Sequence, residues 1–496
     1  MDTRRIDVKR RREYFWIQGF ARTYDRVSGK FVFDVRYKTC VPLTDRTIAV
    51  AEAFGLGVDE EKEHIVLDNV ELKIGPHDIV YVTGDSGSGK SVLLRALKKD
   101  LGEEAIDIGD VQVDPSKPLI ETVGRTVEEG LELLSRVGLN DAFLFLRKYP
   151  ELSDGQKYRY RLAKLVESGK QWWIMDEFCA TLDRDTAKII AFNLQKLARQ
   201  QGKAVIAATT HTDLLEDLNP NMHVHKRFGK EIAVSYLTPK VESECSLVRE
   251  MYVAEGKFEN WRQLAHFHYR CHKVAAPRKI YCLWRKNGEL CGVIVYTYPG
   301  PQCFGRKASG LTKYQMREIN KRLSTISRVV VHPKYRTIGL GVKLVKETLG
   351  LVGTEFIEMP AVMAKYNPFA EKAGMTKICD QRPSKEAQNI AEVLSSLGFN
   401  LQFLSSQSYV LSILSKLKPS EIMQIKQAFI KNQTPRFLKF FAAHQPYGTV
   451  AGYRNKVKNL DPERLANLIK ACGFLLQVKV YLLWRKPSAR PRRASY

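Results

Sequence analysis

Short apolar runs alternate with helix-like segments between residues 41 and 237. The clearest runs are IVYVTG (79–84), WWIMDE (172–177) and AVIAATT (204–210). Their apolar residues are continuous rather than alternating, which is typical of strands in a sheet covered on both faces. The pattern therefore predicts an α/β domain over residues 41–237.

The pattern changes on either side of this domain. Residues 1–40 are basic and aromatic, and we interpret them as an N-terminal extension that is either a nucleic-acid arm or a solvated terminus. The stretch TPKVESE (238–244) interrupts the α/β pattern, and a second α/β segment extends from residue 238 to residue 378. These changes predict two successive α/β domains.

Residues 379–496 are mostly helical in pattern. In PSEIMQIKQAFIK (419–431), Ser420 is a candidate for the residue that caps a helix. A strand-like stretch, FLLQVKVYLLWRK (474–486), precedes a basic tail, PSARPRRASY. This segment is predicted to be a helical C-terminal region that closes with one strand.

The composition is that of a globular protein. The chain has 496 residues, of which 44% are hydrophobic and 27% charged, and such a length suggests about three domains. No apolar run reaches the ~18 residues of a membrane-spanning helix, and the N-terminus lacks the apolar core of a secretory signal. Nine cysteines without a CxxC pair indicate a reducing compartment, so we expect a cytoplasmic protein.

The charge is strongly positive. Lys and Arg total 79 against 54 Asp and Glu, which gives a net charge of +25. Such a balance favours an anionic partner, with nucleic acid first, over the alternative of an ordinary solvated surface. Basic residues cluster near the N-terminus at Arg4, Arg5, Lys9, Arg10, Arg11 and Arg12.

A phosphate-binding loop follows the first clear apolar run. The segment between this run and the helix-like SVLLRALKKDL fits G-x-x-x-x-G-K-[ST], and its residues are Gly84, Asp85, Ser86, Gly87, Ser88, Gly89, Lys90 and Ser91. The glycines let backbone N–H groups surround the phosphates of a nucleotide. Lys90 is expected to reach the β- and γ-phosphates, and Ser91 to help hold Mg²⁺.

Two carboxylates follow the apolar run WWIM. Asp176 is placed to hold Mg²⁺, and Glu177 to polarise the attacking water as a general base. The alternative, a solvated acidic turn, is less favoured once the phosphate-binding loop is accepted.

Three further motifs make the chain resemble the ABC ATPases. LSDGQ, with Ser153, Gly155 and Gln156, resembles the family's LSGGQ signature, although Asp154 replaces a glycine. Residues 180–183 (ATLD) stand where the family has its D-loop, and His211 follows AVIAATT in the place of the switch histidine.

The resemblance implies a particular assembly. Two such domains pair head to tail, so that Ser153 and Gly155 of one copy close the ATP site of the other. One chain carries one such domain, so a homodimer through the ATPase domains is expected, with ATP and Mg²⁺ as its ligands.

Two family elements fit less well. Phe54 is a candidate for the adenine-stacking aromatic, with a core role as the alternative, and Gln112 is a weak candidate for the Q-loop glutamine. The stretch between Lys90 and Ser153 is shorter than the resemblance implies for a transporter. Without a membrane-spanning segment, this favours the soluble branch of the family, which acts on DNA, RNA or ribosomes.

A second glycine-bearing loop joins an apolar strand to a helix. Arg336, Gly339 and Gly341 lie between ISRVVV (326–331) and VKLVKETL, and the free N–H groups at such a helix start can bind a pyrophosphate. The surrounding VVVHPKYRTIGLGVKLV resembles the acetyl-CoA motif of GNAT-type acetyltransferases. Asn367, in NPFAEKAGM, fits a later motif of that family, and KIYCLWRKNGELCGVIVYTYPG fits its early hairpin, with Asn287 and Gly288 at the turn.

The GNAT resemblance implies that acetyl-CoA, or another acyl-CoA, donates an acyl group to an amine. Backbone at Val330 and Val331 would then polarise the thioester carbonyl. The family's tyrosine acid falls on Ala370, and Tyr366 is nearby but out of register. Glu355 and Glu358 are candidates for the general base. The alternative is that these residues are simply exposed on the surface.

His266, His268, Cys271 and His272 form a short cluster of possible metal ligands. Their spacing matches no standard zinc site. A helix with core and surface histidines is the favoured interpretation.

The combined arrangement resembles ABC-type ATPases fused to an acetyltransferase domain. The leading hypothesis is an ATP-dependent acyltransferase that modifies a nucleic-acid base, because exposing a base amine costs a few kcal/mol that ATP-driven clamping could supply. The alternatives are a nucleic-acid repair or ribosome-associated ATPase whose GNAT domain only binds CoA or is inactive, and an ATP-regulated protein N-acetyltransferase.

Overall fold

A computed structural model describes most of the chain. The described residues are 15–25, 27–39, 43–56, 63–241, 244–268, 274, 276–301, 303–362, 364, 367–433, 450–476 and 478–487. The basic cluster near the N-terminus and the basic tail beyond residue 487 lie outside these ranges.

The chain folds into two compact units. The first contains residues 1–272, 281–293 and 330–344. The second contains residues 273–280, 294–329 and 345–496. The segment predicted as the second α/β domain, residues 238–378, thus contributes to both units.

The first unit begins with a three-stranded antiparallel sheet. Its strands are β1 (Phe15–Asp25), β2 (Lys30–Thr39) and β3 (Glu63–Lys73), with β2 in the centre. Phe31, Phe33 and Val35 of β2 are fully buried, since alternate residues of a strand point to the same face. Because β2 pairs with β3, one sheet contains residues from both sides of residue 40, where the N-terminal extension was predicted to end.

A six-stranded sheet forms the centre of the first unit. Its strands are β4 (Ile79–Thr83), β5 (Ala105–Asp107), β6 (Trp172–Met175), β7 (Ala204–Ala208), β8 (Met222–Lys226) and β9 (Ile232–Tyr236). The strand order is β5-β6-β7-β4-β8-β9, and only β9 is antiparallel to its neighbour. Every residue of β4, β6 and β7 is buried, as their continuous apolar pattern predicts.

Several α-helices of the first unit lie in the described part of the chain up to residue 268. They are α1 (Asp45–Ala53), α2 (Lys90–Leu101), α3 (Val127–Arg136), α4 (Ala142–Phe145), α5 (Asp154–Glu167), α6 (Arg184–Gln201) and α7 (Leu215–Leu218), and α8 (Phe258–Leu264) belongs to the segment that follows. Leu93 and Leu97 of α2 share one core with Phe33 of β2 and Val80 of β4. Helix α2 therefore joins the two sheets.

The second α/β segment begins with antiparallel strands. These are β10 (Met251–Glu255), β11 (Pro277–Arg285) and β12 (Leu290–Thr297). In the first unit β10 pairs with β11, from Met251 opposite Arg285 to Glu255 opposite Tyr281. The hairpin predicted at Asn287 and Gly288 is confirmed: Gly288 has a φ of +87° and the N–H of Arg285 donates to the carbonyl of Glu289 at 2.9 Å.

The remaining strands and helices of this segment are β13 (Leu323–Val331), β14 (Phe356–Ala361), β15 (Thr376–Gln381), α9 (Met316–Arg322), α10 (Leu340–Thr348) and α11 (Phe369–Lys372), and the C-terminal region adds β16 (Lys479–Arg485). In the second unit β16 lies between β14 and β15 and is antiparallel to both. The C-terminal strand thus completes a sheet begun more than a hundred residues earlier.

The parallel pairing of β13 with β14 ends early. It covers only Leu323–Phe356, Ser324–Ile357 and Thr325–Glu358 among the described residues, although β14 continues to Ala361 beside β16. The backbone groups of β13 that face β14 beyond Thr325 therefore do not pair with that strand.

Helices of the C-terminal region form a separate core in the second unit. They are α12 (Lys385–Ser396), α13 (Gln407–Leu414), α14 (Pro419–Lys431), α15 (Val450–Lys458) and α16 (Pro462–Leu475). Lys418, rather than Ser420, is the N-cap of α14, since Pro419 takes the first helical position. The strand predicted over 474–486 begins only at Lys479, because α16 extends to Leu475.

Candidate functional site

The phosphate-binding loop connects β4 to α2, as predicted. Gly84 has a φ of +144°, and a Cβ atom there would lie 1.9 Å from the carbonyl oxygen of Lys226. Gly89 has a φ of +100°, and its Cβ would lie 2.4 Å from Cγ1 of Val66. Both positions require glycine, since a side chain would be strained and would collide with its neighbours.

Two polar side chains of this loop are buried. The Ser88 hydroxyl has no hydrogen-bond partner among the described residues, and an unpaired buried hydroxyl is costly. The Lys90 ammonium donates to the carbonyls of Gly84 (2.8 Å) and Asp85 (2.6 Å). A phosphate would supply Ser88 with an acceptor, so the loop fits the nucleotide that its sequence predicts.

The remaining loop residues are more accessible. Asp85, Ser86 and Gly87 are exposed, and Ser91 is half-buried in the first turn of α2. Burial lowers the pKa of Lys90, while the carboxylates of Asp176, Asp85 and Glu177 oppose this shift. Asp176 and Glu177 thus lie close enough to Lys90 to act on its charge.

The two carboxylates follow β6 directly. Glu177 has a φ of +53°, which is uncommon for a residue with a side chain, and its N–H donates to Oδ1 of Asp176 at 3.1 Å. Such backbone conformations persist where the surrounding structure maintains them and are frequent at functional sites.

His211 follows β7, the strand between β6 and β4. The Tyr81 hydroxyl donates to the His211 carbonyl at 2.5 Å, and the His211 N–H donates to the Thr209 hydroxyl at 3.3 Å. Since these three strands are parallel, their carboxyl ends lie at one edge of the sheet. The phosphate-binding loop, Asp176, Glu177 and His211 are all brought to this edge.

The signature segment begins α5. Ser153 is the N-cap of that helix, and its N–H donates to Oε1 of Gln156 at 3.0 Å. A Cβ on Gly155 would lie 3.1 Å from Cδ2 of Leu182. Ser153 is exposed, whereas Gly155 packs on the D-loop segment of its own chain.

The candidate adenine-stacking residue and the candidate Q-loop glutamine are both exposed. Phe54 is the residue after α1 and is 76% exposed, so a core role for its ring is wrong. Gln112 donates through Nε2 to the carbonyl of Asp110 at 3.2 Å. The roles proposed for both residues remain predictions.

The second glycine-bearing loop, which we call the acyl-CoA loop (residues 331–341), lies in the first unit. Gly339 has a φ of +89° with open space where a Cβ would lie, and α10 begins at the next residue, so Gly341 is in its first turn. Such a helix start leaves backbone N–H groups free for a pyrophosphate. The glycine conformation and the open space fit the group predicted to bind here.

Arg336 of this loop already has partners. Its Nε donates to the carbonyl of Val331 at 3.0 Å, and its Nη1 donates to the carbonyl of Asn140. The Arg336 guanidinium therefore donates hydrogen bonds to backbone carbonyls of the protein itself. Asn367 belongs to the second unit and is exposed just before α11.

Glu358, one candidate general base, is buried in an ion pair of the second unit. Arg306 donates to its two oxygens at 2.6 and 3.0 Å, and the hydroxyls of Thr325 and Tyr481 each donate at 2.8 Å. Burial opposes the charge on Arg306, but Glu358 raises the pKa of Arg306 on balance. Because Glu358 is almost fully buried and already accepts four hydrogen bonds, it offers a substrate no accessible acceptor.

The other candidates differ in exposure. Glu355 is partly exposed and lies 3.5 Å from Arg322. Ala370 is buried in α11 and offers no acid, and Tyr366 lies outside the described residues. The structure thus identifies no general acid at the family position.

The histidine cluster is not assembled into a metal site within the part of the chain that the structure describes. His266 lies against Phe267, and His268 contacts the ring of Trp261 edge-on. Cys271 and His272 lie outside the described residues.

The sequence interpretation missed several residues near the predicted sites. Arg306 and Tyr481 surround Glu358, and Lys334 pairs with Asp183 and Asp185. The strand-like pattern before the basic tail was a signal for the position of Tyr481, since a lone terminal strand must pair with an existing sheet.

The strand order, the phosphate-binding loop and the acidic pair define a P-loop ATPase of the ATP-binding cassette class. The cytochrome c biogenesis ATP-binding export protein CcmA of Gluconobacter oxydans is 32% identical over 169 residues, which cover 31% of this chain and 77% of that protein. The phosphonates import ATP-binding protein PhnC 1 of Cupriavidus metallidurans is 26% identical over 254 residues, 41% of this chain and 87% of that protein. The chain therefore belongs to the ABC ATPases.

A second family accounts for the middle of the chain. The profile of the acetyltransferase (GNAT) family matches residues 246–359. A solved dimeric ATP-binding cassette, in a post-hydrolysis state with ADP and phosphate, has 20% sequence identity and a TM-score of 0.31, covering 36% of this chain and 94% of its own. The CcmA relative and the GNAT profile confirm the predicted fusion of an ABC ATPase with a GNAT domain, the α/β fold class and the enzyme class.

No helix in the described ranges has both the length and the hydropathy required to cross a membrane.

Proposed function

We propose that the protein couples ATP hydrolysis to acyl-CoA-dependent N-acylation of a nucleic-acid base. The observation that carries the coupling is that the ATPase sites and the acyl-CoA loop belong to one compact unit. Within that unit Asn193 of α6 donates to the hydroxyl of Thr337 in the loop at 2.8 Å. A binding event at either site can therefore bias the other through direct contacts.

The chain's residues have distinct roles in ATP hydrolysis under this proposal. Residues 84–91 surround the phosphates, with Lys90 at the β- and γ-phosphates. Ser91 and Asp176 hold Mg²⁺, Glu177 activates water, and His211 stabilises the charge that develops on the γ-phosphate. Because Ser153 is exposed, the signature segment of a second copy, with Gly155 and Gln156, can close each site in a homodimer.

Acyl transfer requires binding and positioning more than covalent catalysis by the chain. The acyl-CoA supplies a thioester, and the substrate amine displaces the thiolate and loses a proton. Gly339, Gly341 and, once free of its present partners, Arg336 bind the pyrophosphate. Backbone at Val331 orients the thioester carbonyl, and the cofactor-binding role of Asn367 stays a prediction from its motif.

A nucleic-acid substrate is supported by the charge of the whole chain. The excess of Lys and Arg is +25, more than the phosphates of ATP and acyl-CoA require. Much of the clustered positive charge lies at the chain ends, outside the described residues.

Mass spectrometry of nucleosides tests the proposal. RNA and DNA are incubated with the protein, Mg²⁺ATP and acetyl-CoA, and then digested. We expect an acylated nucleoside that is absent without acetyl-CoA and absent with Lys90→Ala. Acylated lysines or protein N-termini with unchanged nucleosides would instead support the ATP-regulated protein N-acetyltransferase.

Ala370 favours one alternative. A buried alanine where the family has its tyrosine acid is consistent with a GNAT domain that binds CoA without transferring an acyl group, on an ATPase of nucleic-acid repair or ribosome function. Acyl transfer that disappears when Gly339 and Gly341 are replaced would exclude this alternative.

A further inference from the structure

The acyl-CoA loop is anchored to the ATPase segment by hydrogen bonds within the first unit. Arg336 donates to the carbonyl of Asn140, and Nδ2 of Asn140 donates back to the carbonyl of Pro333 at 3.4 Å. Thr337, which is held at a φ of +74°, accepts from Asn193. A non-glycine residue in this conformation is costly, so these contacts help to maintain the loop in its present shape.

Charged contacts form a second anchor. Asp185, in the first turn of α6, lies 2.7 Å from Lys334 and 2.9 Å from Arg285, and Lys334 also lies 3.5 Å from Asp183. Burial raises the pKa of Asp185, but the hydrogen bonds and charges of Lys334 and Arg285 outweigh it and lower the pKa. The Arg285 and Asp185 side chains are only 15% and 18% exposed, so solvent screens this pair less than a surface pair.

Both anchors connect to elements of the ATP site. The D-loop residue Leu182 packs on Gly155 of the signature segment and directly precedes Asp183. On the other side, Arg159 of α5 donates to the carbonyls of Gly155 (3.1 Å) and Gly138 (2.8 Å), and Gly138 is two residues before Asn140. The signature segment and the D-loop are therefore each connected to the acyl-CoA loop through a different set of contacts.

We propose that nucleotide state controls acyl-CoA binding by holding or releasing Arg336. While Asn140 accepts from Arg336, the guanidinium is withheld from the pyrophosphate site. When ATP engages the signature segment and the D-loop, the Asn140 and Asp185 contacts shift, and Arg336 becomes available to the pyrophosphate. The proposal rests on the proposed function, because it places ATP and acyl-CoA at the sites described above.

Linkage makes the proposal quantitative. If the ATP-bound state binds acyl-CoA more tightly by some factor, acyl-CoA must tighten ATP binding by the same factor. Such coupling is commonly about 5- to 150-fold.

Titration calorimetry with unacylated CoA as the probe measures this coupling in two states, with Mg²⁺ and AMP-PNP or with Mg²⁺ and ADP. We expect CoA to bind at least ~5-fold more tightly with AMP-PNP.

Variants of the second anchor test the route. Asp185→Asn and Lys334→Met each remove one partner, and both should bring the coupling factor close to one, with no further loss in the double variant. Glu216→Gln is the matched control. This substitution breaks the ion pair between Glu216 and Arg249, which also joins residues 41–237 to residues 238–378 but involves no residue of the acyl-CoA loop. The variant should retain wild-type coupling.

Several results separate this inference from the proposed function. Equal CoA affinity in both nucleotide states overturns the inference alone, as does wild-type coupling in Asp185→Asn and Lys334→Met. Failure of CoA to bind in any state overturns the acyl-CoA site itself and the inference with it. If circular dichroism shows that Asp185→Asn is unfolded, Lys334→Met and Asn193→Ala carry the test, and retained coupling in both contradicts the inference.

Discussion

Replacing Glu358 by glutamine should strongly destabilise the second unit. Glu358 and Arg306 are 1% and 3% exposed, and two hydrogen bonds of 2.6 and 3.0 Å join them. The amide removes the negative charge and leaves a guanidinium buried without a counter-ion. Removing one partner of a buried ion pair costs about 3–5 kcal/mol, and weaker bonds from Thr325 and Tyr481 add to the loss.

Hydrogen exchange with increasing urea is a suitable assay, because it reports on β14 and β16 separately from the rest of the chain. Glu355→Gln is the matched control, because Glu355 directly precedes β14, lies 3.5 Å from Arg322 and is 44% exposed. An exposed pair of this kind contributes about 0–1 kcal/mol. If Glu358→Gln costs no more than Glu355→Gln, the buried pair does not stabilise this sheet as described.

Four further predictions concern the ATP site and the nucleic-acid partner. Lys90→Ala should abolish ATP binding in a fluorescent-nucleotide titration, because it removes the cation expected at the β- and γ-phosphates; binding within ~2-fold of wild type, about 0.4 kcal/mol, would contradict this. Glu177→Gln should retain ATP and accumulate a dimer by light scattering, and a monomer with ATP would count against the composite site. Ser88→Ala should leave the nucleotide-free protein equally stable or up to ~1 kcal/mol more stable in thermal unfolding, since the hydroxyl is buried without a partner; a loss of more than ~1 kcal/mol would indicate a hidden partner. Duplex DNA binding should weaken with salt, with log K falling by ~0.9 per log unit of salt for each phosphate neutralised, and a flat dependence would argue against the nucleic-acid hypothesis.

Local patterns were sufficient to predict the strands and the loop of the candidate ATP site. The continuous apolar runs before Gly84, Asp176 and His211 are strands β4, β6 and β7, and parallel strands bring their carboxyl ends together wherever they are adjacent. The glycines that the loop requires were visible in the sequence, and the structure adds the neighbours, Lys226 and Val66, that would collide with a side chain.

Contacts between distant segments were not predictable in this way. Glu358 and Tyr481 are separated by 123 residues, and no local periodicity states which strand a terminal strand will join. The partners of the acyl-CoA loop were hidden for the same reason. The motif around Arg336 predicts that this residue binds phosphate. Only the folded chain shows that the Asn140 carbonyl accepts a hydrogen bond from it.

The most direct test of the account is the rate of acetyl transfer to nucleic acid with and without ATP. Quenched-flow measurement with labelled acetyl-CoA follows transfer in the wild type, in Glu177→Gln and in Asp185→Asn. We predict transfer that requires ATP, slows strongly in Glu177→Gln and loses its dependence on ATP in Asp185→Asn. Equal transfer rates in the wild type with and without ATP would contradict the coupling of the two sites.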